Sequence, residues 1–289
     1  MDLIAVMVVE FLYAVASLVL ISAGLAVVFG MMRVINLAHG EFMILGGYVT
    51  ITAVNLGVNV FIAMVIIAPL AVALIGVVVE RLVIRHLYGR LVDTMLATWG
   101  LSLFFIGLVT VIFGNTTTGI STPIPGFAIG DYRINGYSFF IILVAVLLLA
   151  AMAVILRTTR FGLIARGTMA RPDIAAALGH ETERIYMATF AVGSALSGLA
   201  GAVLAPLVGL VPGSGAAYIA KAFITVIAGG PQMLAGLMSS ATFFGVVNQL
   251  FTFTISPVIG EVALLVAAVI LLRMLPRGIT GRFFRERSS

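Results

Sequence analysis

This chain of 289 residues contains seven long apolar runs. A helix that crosses about 30 Å of hydrocarbon needs about 20 mostly apolar residues, and each run approaches or reaches that length. Hydrophobic residues make up 62% of the chain and charged residues 9%, as is typical of a membrane protein. The sequence therefore predicts an all-α fold, a polytopic bundle of membrane helices. The runs lie at about 11–30, 60–79, 94–113, 138–156, 185–208, 234–254 and 258–273.

The arginines predict how the helices are oriented. Most of them lie in three polar segments, the loops around 80–93 and 157–184 and the tail 276–289, whereas segments 114–137 and 209–215 carry almost no net charge. By the positive-inside rule the three basic segments are cytoplasmic and the other two face outside. This orientation accounts for the net charge of +5, so we expect no nucleic-acid partner. The basic residues are Arg81, Arg85 and Arg90; Arg157, Arg160, Arg166, Arg171 and Arg184; and Arg273, Arg277, Arg282, Arg285 and Arg287.

Two shorter apolar runs, 42–56 and 216–230, are also predicted to cross the membrane. Two segments on the same side of a membrane must be joined by an even number of crossings, and the long runs alone do not give an even number between the loop 157–184 and the tail. We therefore expect nine crossings, an outer N-terminus and a cytoplasmic C-terminus. A run of about 15 residues rises only about 22 Å as a helix, which indicates bent or irregular backbone next to each short crossing. The first polar break, 31–41, is placed near the inner side.

The short crossings occupy matching places in two series of four spans with opposite orientation. This pattern predicts an inverted repeat within a single transmembrane domain covering 1–289. The first repeat covers about 11–113 and the second about 185–275, and the span 138–156 connects them. Transporters with this organisation place their pathway at the broken helices between the repeats.

Polar residues interrupt the apolar sequence at the first break. Asn36, His39, Gly40 and Glu41 follow one another closely at a depth where lipid disfavours polar groups. Ionisable residues inside membrane spans normally face the interior of the bundle or an aqueous path. We therefore expect this group, Asn36, His39, Gly40 and Glu41, to line or gate a substrate pathway. For His39 alone, a hydrogen bond between helices is favoured.

The second break contributes Lys221, which is predicted to reach the same pathway from the opposite repeat. Gly229 and Gly230 close the second short crossing and are either a flexible pathway wall or a packing site. The alternative for Lys221 is a buried ion pair with Glu41 that locks the helices together. A charge swap between the two residues separates these hypotheses.

The cytoplasmic segment 171–180 predicts a short helix between two spans. Proline suits a first helical turn, an acidic residue complements the helix N-terminus, and glycine suits the C-terminal cap. Its three consecutive alanines would anchor poorly in lipid but fit a groove on another protein, so docking is favoured over a surface helix lying on headgroups. The residues that carry this prediction are Pro172, Asp173, Ala175, Ala176, Ala177 and Gly179.

Several kinds of chemistry have no motif in this sequence. The chain contains no cysteine and no Gly-x-x-x-x-Gly-Lys-Ser/Thr phosphate loop, and we find no His-Glu-x-x-His metal motif. We therefore expect no catalytic residues, no metal and no cofactor in this chain. An energy source such as ATP would have to act through a partner.

Four stretches of the sequence resemble the membrane permeases of ABC importers for branched-chain amino acids. They are 30–41 (Gly-Met-Met-Arg-Val-Ile-Asn-Leu-Ala-His-Gly-Glu), 175–179 (Ala-Ala-Ala-Leu-Gly), Lys221-Ala-Phe with the Gly229-Gly230 turn, and 275–279 (Leu-Pro-Arg-Gly-Ile). The resemblance runs from about 11 to 282. One departure is Pro231, which follows the glycine pair where such permeases carry further glycines.

This resemblance implies a fold and a set of partners. The fold would be type II importer-like, and the chain would assemble with a second permease subunit, two cytoplasmic ATPase subunits that bind ATP and Mg²⁺, and a periplasmic substrate-binding protein. Segment 172–180 would be the coupling helix that docks on an ATPase subunit, and the complex would lie in the inner membrane. Similar permeases carry urea or short amides, which is the alternative substrate class.

Two functions from other classes stay open at this point. A proton-coupled secondary carrier would use Glu41 and His39 as a proton relay and would need no partner. A passive urea-type channel would conduct in both directions without ATP. Retention of an ATPase subunit during purification in mild detergent distinguishes the importer from both.

Overall fold

The computed structural model describes residues 2–129 and 132–283. Asp131 of the predicted outer loop and Arg285 and Arg287 of the predicted basic tail lie outside the described residues. The helices are α1 (Asp2–Met32), α2 (His39–Asn55), α3 (Val60–Ile62), α4 (Ala68–Leu82), α5 (Leu91–Phe113), α6 (Tyr137–Thr158), α7 (Arg160–Ala170), α8 (Pro172–Ala177), α9 (Thr182–Leu204), α10 (Gly215–Gly229), α11 (Met233–Thr254), α12 (Pro257–Met274) and α13 (Gly278–Phe283).

Seven helices of the described chain are long and apolar enough to cross a membrane, in agreement with the seven predicted spans. They are α1, the continuous segment from α3 to α4, α5, α6, α9, α11 and α12 with its extension. The two predicted short crossings also form helices, α2 with 17 residues and α10 with 15. The chain is therefore an all-α, polytopic membrane protein. The total of nine crossings stays a prediction.

The ends of several helices differ from the sequence prediction. Helix α1 begins at Asp2 rather than near residue 11, and it is 31 residues long. The first break is shorter than expected, because helix α2 already begins at His39. Between α3 and α4 the helix widens into a π-helical turn over Ala63–Ile67. This turn precedes Pro69, which lacks the N–H that a regular helix would use there.

A small antiparallel hairpin lies in the predicted outer loop. Strand β1 (Phe127–Ile129) pairs with β2 (Tyr132–Ile134), so that Phe127 lies opposite Ile134. The Phe127 ring also stacks on Phe139 of α6, with centroids 5.8 Å apart. The sequence analysis did not predict this hairpin.

The described chain divides into two compact units. The first contains residues 1–22, 122–149 and 221–289, and the second contains 23–121 and 150–220. Neither unit coincides with a predicted repeat, because each takes helices from both. Helices α1, α6 and α10 each contribute residues to both units.

The second unit is built on the packing of α9 against α2 and α4. At its centre the Phe42 ring lies edge-on to Phe105 and Phe190, with centroids 5.6 and 6.0 Å away. All three rings are buried, and each comes from a different helix. These aromatic contacts fix α2 between α5 and α9, which positions the polar start of α2.

The first unit is built on the hairpin of α11 and α12. The start of α1 packs against α11, where Val15 lies against Gly245 and the Phe11 ring contacts Phe253 with centroids 6.4 Å apart. Helix α12 begins at a regular cap, because Ser256 accepts a hydrogen bond from Ile259 N at 3.3 Å and Pro257 follows it.

The same kind of contact thus recurs in the two units. In the first unit, the opening helix of the predicted first repeat, α1, packs on α11 of the second repeat. In the second unit, the opening helix of the predicted second repeat, α9, packs on α4 of the first. An exchange of corresponding helices is what an inverted repeat would produce, and the repeat itself stays a prediction.

Candidate functional site

The first helix break is a short, fixed turn between α1 and α2. Helix α1 ends where Arg33 adopts a left-handed conformation with φ +53°, which is uncommon for a residue with a side chain. Thr98 of α5 then holds the turn, since its hydroxyl oxygen accepts from Leu37 N at 3.1 Å and lies 3.2 Å from Ile35 O. The turn is therefore anchored by a residue 61 positions away in sequence.

Asn36 and His39 make local and interhelical hydrogen bonds. The Asn36 Oδ1 accepts from Ala38 N at 3.0 Å, which is the two-residue turn that asparagine favours. The His39 Nδ1 lies 3.0 Å from the Ser197 hydroxyl of α9. Because that hydroxyl also lies 2.8 Å from Gly193 O and can donate to it, His39 can donate to Ser197 through Nδ1–H. Both side chains are buried, and these bonds hold α2 in place.

The carboxylate of Glu41 lies buried in the first turn of α2. It accepts a hydrogen bond from the Ser102 hydroxyl at 3.4 Å, and Ser102 lies at the middle of α5. Glu41 therefore lies at the level of the middle of α5, whereas residues 35–37 of the break contact Thr98, nearer to the start of that helix. The placement of the break near the inner side stays a prediction. A polar group at the level of Glu41 needs protein or water around it.

Gly215, the first residue of α10, borders the same carboxylate. A Cβ atom added there would lie 2.5 Å from Glu41 Oε1 and 2.7 Å from its Cδ, so a side chain would displace the carboxylate. The start of α10 therefore lies directly against the buried Glu41 side chain, and the two predicted breaks meet at this point.

Glycines let α2 approach its neighbours closely. A Cβ at Gly40 would overlap the backbone of Gly215, and one at Gly46 would overlap the backbone of Gly198 in α9. Gly46 therefore packs closely on α9, and Gly40 packs closely on the start of α10. The pathway role predicted for Gly40 stays a prediction.

Lys221 lies near the middle of α10, within a regular helix and not in a break as predicted. Its Nζ is 2.6 Å from Oε1 of Glu261 in α12, and 27% of the Lys221 side chain and 59% of the Glu261 side chain are exposed. The carboxylate partner given by the structure is thus Glu261. The sequence analysis missed this residue, although a lone acid inside an apolar run signals an unusual site.

Gly229 and Gly230 form a packed turn beside α13. Gly230 has φ +86°, and Thr280 donates to Gly229 O at 2.6 Å and accepts from Gln232 N at 3.4 Å. Gly229 also lies against Gly236 of α11, where a Cβ would come within 2.7 Å of backbone atoms. These contacts favour the packing interpretation of this glycine pair.

The short helix predicted within segment 171–180 is present as α8, and a further helix that was not predicted, α7, precedes it in the loop 157–184. Helix α8 begins at Pro172, and the hydrogen bond from Arg171 lowers the pKa of Asp173 below its ordinary value. The helix ends at Ala177, and Gly179 forms the turn after it as expected, with φ +85° and a backbone hydrogen bond from its N–H to Ala176 O at 3.0 Å.

One face of α8 is buried and the other is exposed. Ala175 packs inward, while Ala176 and Ala177 face outward. An apolar groove of about 280 Å³ lies between α7 and α8, and it is open to the surface. Its lining includes Leu163, Ile164, Ile174 and Leu178. The segment therefore presents alanines together with an apolar groove.

The loop after α4 is tied to the start of α9. The Arg85 guanidinium lies 2.8 Å from the Glu183 carboxylate, and the Tyr88 ring lies edge-on to Tyr186 at 4.9 Å. Tyr88 also donates its hydroxyl to the fully buried Glu80. Burial, followed by this hydrogen bond, raises the pKa of Tyr88 above its ordinary value. Glu80 is a further buried acid that the sequence analysis did not single out.

The candidate site consists of polar side chains inside an apolar bundle. Among residues 2–129 and 132–283 there is no group of three histidine, aspartate or glutamate side chains that could hold a metal ion. The polar groups instead lie at helix breaks and within apolar spans. A polytopic helical bundle with polar helix breaks in its interior defines a membrane transport protein.

Sequence comparison gives the family. Residues 7–275 match the branched-chain amino acid transport system permease component, and the chain belongs to this family. A probable branched-chain amino acid transport permease, LivH of Methanocaldococcus jannaschii, is 26% identical over 91% of this chain and 88% of its own length. High-affinity permeases named BraD in Pseudomonas aeruginosa and LivH in Escherichia coli K12 are 27% and 25% identical, each over 91% of both chains. No solved structure matches the chain.

Proposed function

We propose that this chain is the permease subunit of an ATP-driven importer that moves branched-chain amino acids inward across the cytoplasmic membrane. The observation that carries this proposal is the family match over residues 7–275, with relatives of nearly equal length that are named as branched-chain amino acid permeases. A permease subunit provides the path, and it does not itself hydrolyse ATP. In this proposal ATP and Mg²⁺ bind to two partner ATPase subunits.

The break between α1 and α2 is proposed to form part of the substrate path. Its support is the burial of Glu41 at the level of the middle of α5, close to the start of α10. A carboxylate at that depth is retained where it faces a polar path or a fixed positive dipole. Asn36 and His39 support this role indirectly, because their hydrogen bonds position the turn that carries Glu41.

Helix α8 is proposed to couple the path to an ATPase subunit. The exposed Ala176 and Ala177 have no bulk that would prevent close approach, and the groove between α7 and α8 offers an apolar surface beside them. The segment continues directly into α9, which packs on α2 and α4. A displacement of α8 by a bound ATPase would therefore reach the helices around the first break.

The complex is proposed to contain a second permease subunit and to receive substrate from a periplasmic binding protein. Its orientation, with α13 on the cytoplasmic side, is supported by the arginine distribution and by two contacts. The Thr118–Leu210 backbone bridge joins two segments predicted outside, and the Arg85–Glu183 ion pair joins two predicted inside.

Purification and uptake test the proposed function. The chain is expressed with its partner subunits, purified in mild detergent and reconstituted with its binding protein. We expect an ATPase subunit to be retained and leucine uptake to require ATP, with little competition from urea or acetamide. Uptake by the permease alone under a proton gradient would support a secondary carrier. ATP-independent flux in both directions would support a channel, and competition by urea or acetamide would reassign the substrate.

A further inference from the structure

The ion pair of Lys221 and Glu261 lies within two apolar helices. Lys221 is six residues from the start of α10 and eight from its end, which places it about 9 and 12 Å along the helix axis from either end. Glu261 lies in the second turn of α12, about 6 Å from its start. On α12, Val258, Val262 and Leu265 are exposed apolar neighbours of Glu261. Lipid is therefore a poor environment for this exposed charged pair.

The pair is also incompletely enclosed. Glu261 exposes 59% of its side chain and Lys221 exposes 27%, whereas Glu41 is almost fully buried. An ion pair that only holds two helices together gains most when its geometry is enclosed and its remaining hydrogen-bonding groups are satisfied. Here the lysine has three donors, and its contact with Glu261 at 2.6 Å uses one of them. The described part of this chain therefore leaves both charges accessible from outside the helix pair.

We propose that Lys221 and Glu261 form a zwitterion-binding site, at which an α-amino acid is held through its two charged groups. The substrate carboxylate binds the Lys221 ammonium, and the substrate ammonium binds the Glu261 carboxylate. Since the substrate carries both charges, the protein pair opens without leaving either partner unpaired, and it closes again when the substrate leaves. A neutral amide or urea cannot replace both ionic contacts. This inference rests on the proposed function and gives it a basis for substrate class.

The test removes both charges together. The double variant Lys221→Met with Glu261→Gln leaves no unpaired charge in the apolar region, so a purely structural pair would tolerate it. The matched control is Arg90→Met with Asp93→Asn, which neutralises an exposed ion pair at the start of α5. Each variant is assembled with its ATPase subunits and binding protein in proteoliposomes. Leucine uptake and ATP hydrolysis stimulated by the binding protein are then measured in the same vesicles.

In the Lys221/Glu261 variant we expect the number of leucines moved per ATP to fall about ten- to a hundredfold, because charge-assisted contacts to the substrate are lost. We expect stimulated ATP hydrolysis to stay unchanged in this variant, and both activities to stay unchanged in the Arg90/Asp93 control. An unchanged ratio overturns the zwitterion site. A parallel loss of uptake and ATP hydrolysis in an assembled complex also overturns it, because the pair would then transmit coupling. If the wild-type complex does not transport leucine, the proposed function itself has failed.

A second variant covers the case in which the neutral pair does not assemble. Lys221→Glu with Glu261→Lys keeps an ion pair between the same helices but exchanges the two charges. A substrate held by both ends would have to reverse its orientation, so we expect the uptake ratio to stay well below the wild-type value. Full wild-type transport by the exchanged pair would show that the ion pair is structural.

Discussion

Replacing Gly201 by alanine is expected to weaken the packing of α9 on α2. A Cβ at this residue would overlap the backbone carbonyl of Met43 and would lie 2.8 Å from Met43 Cα, and neither atom belongs to a flexible side chain. Overpacking of this kind costs about 1–3 kcal/mol. Because the overlapped atoms are backbone, we expect the upper part of this range, about 2–3 kcal/mol. Alanine recovers up to about 1 kcal/mol of helix propensity, which leaves a net loss of about 1–3 kcal/mol.

The assay is thermal unfolding of the detergent-purified permease, followed by loss of the monodisperse peak in size-exclusion chromatography. A loss of that size lowers the melting temperature by about 2–5 °C, because unfolding a chain of this length carries an entropy of about 0.6 kcal/mol/K. Gly107→Ala in α5 is the matched control, because an added Cβ there has no neighbour within 4 Å. We expect the control to match the wild type or exceed it slightly. Equal melting temperatures for the two variants would refute the close-packing argument.

Three further predictions concern the site and the predicted cytoplasmic face. Ala176→Asp or Gly179→Pro is expected to leave the subunit in the membrane while abolishing substrate-stimulated ATP hydrolysis and uptake, and full activity of either variant would exclude docking through α8. Tyr88→Phe deprives buried Glu80 of its donor and is expected to cost about 1–3 kcal/mol in thermal unfolding; an unchanged melting temperature would contradict that. The double variant Glu41→Lys with Lys221→Glu, which exchanges the two charges, is expected to assemble into the complex but not to take up substrate, whereas restored uptake would support a structural pair.

The sequence predicted the helices better than it predicted their ends. Long apolar runs located all seven full-length spans of the described chain, because a membrane helix needs a minimum apolar length. It placed the start of α2 several residues too late, because the polar side chains of His39 and Glu41 resembled a loop. Those residues continue the helix since their polar groups are satisfied by Ser197 and Ser102, which lie far away in sequence.

The sequence identified only those site residues whose own charge or polarity is unusual within an apolar run. Lys221 is the only lysine in the chain, and its charge within an apolar run identified it. Glu261 was missed because the run around it is otherwise apolar, and the whole run was predicted as one membrane helix. The contact between these two residues joins helices 40 positions apart and depends on tertiary packing. Periodicity and hydropathy contain no information about that pairing.

Burial separates the polar residues of this protein into those that hold the fold and those that a solute can reach. Asn36 and His39 are buried, and backbone and hydroxyl groups satisfy them, so their hydrogen bonds are best explained by positioning of α2. Lys221 pairs with a carboxylate that is more than half exposed, and an ion pair open to a solute can exchange partners. Glu41 lies between these cases, because its hydroxyl contact is long at 3.4 Å and its other neighbour is the start of a helix. A small movement of the start of α10 would therefore change the environment of Glu41 more than that of His39, whose ring nitrogen contacts Ser197 of α9.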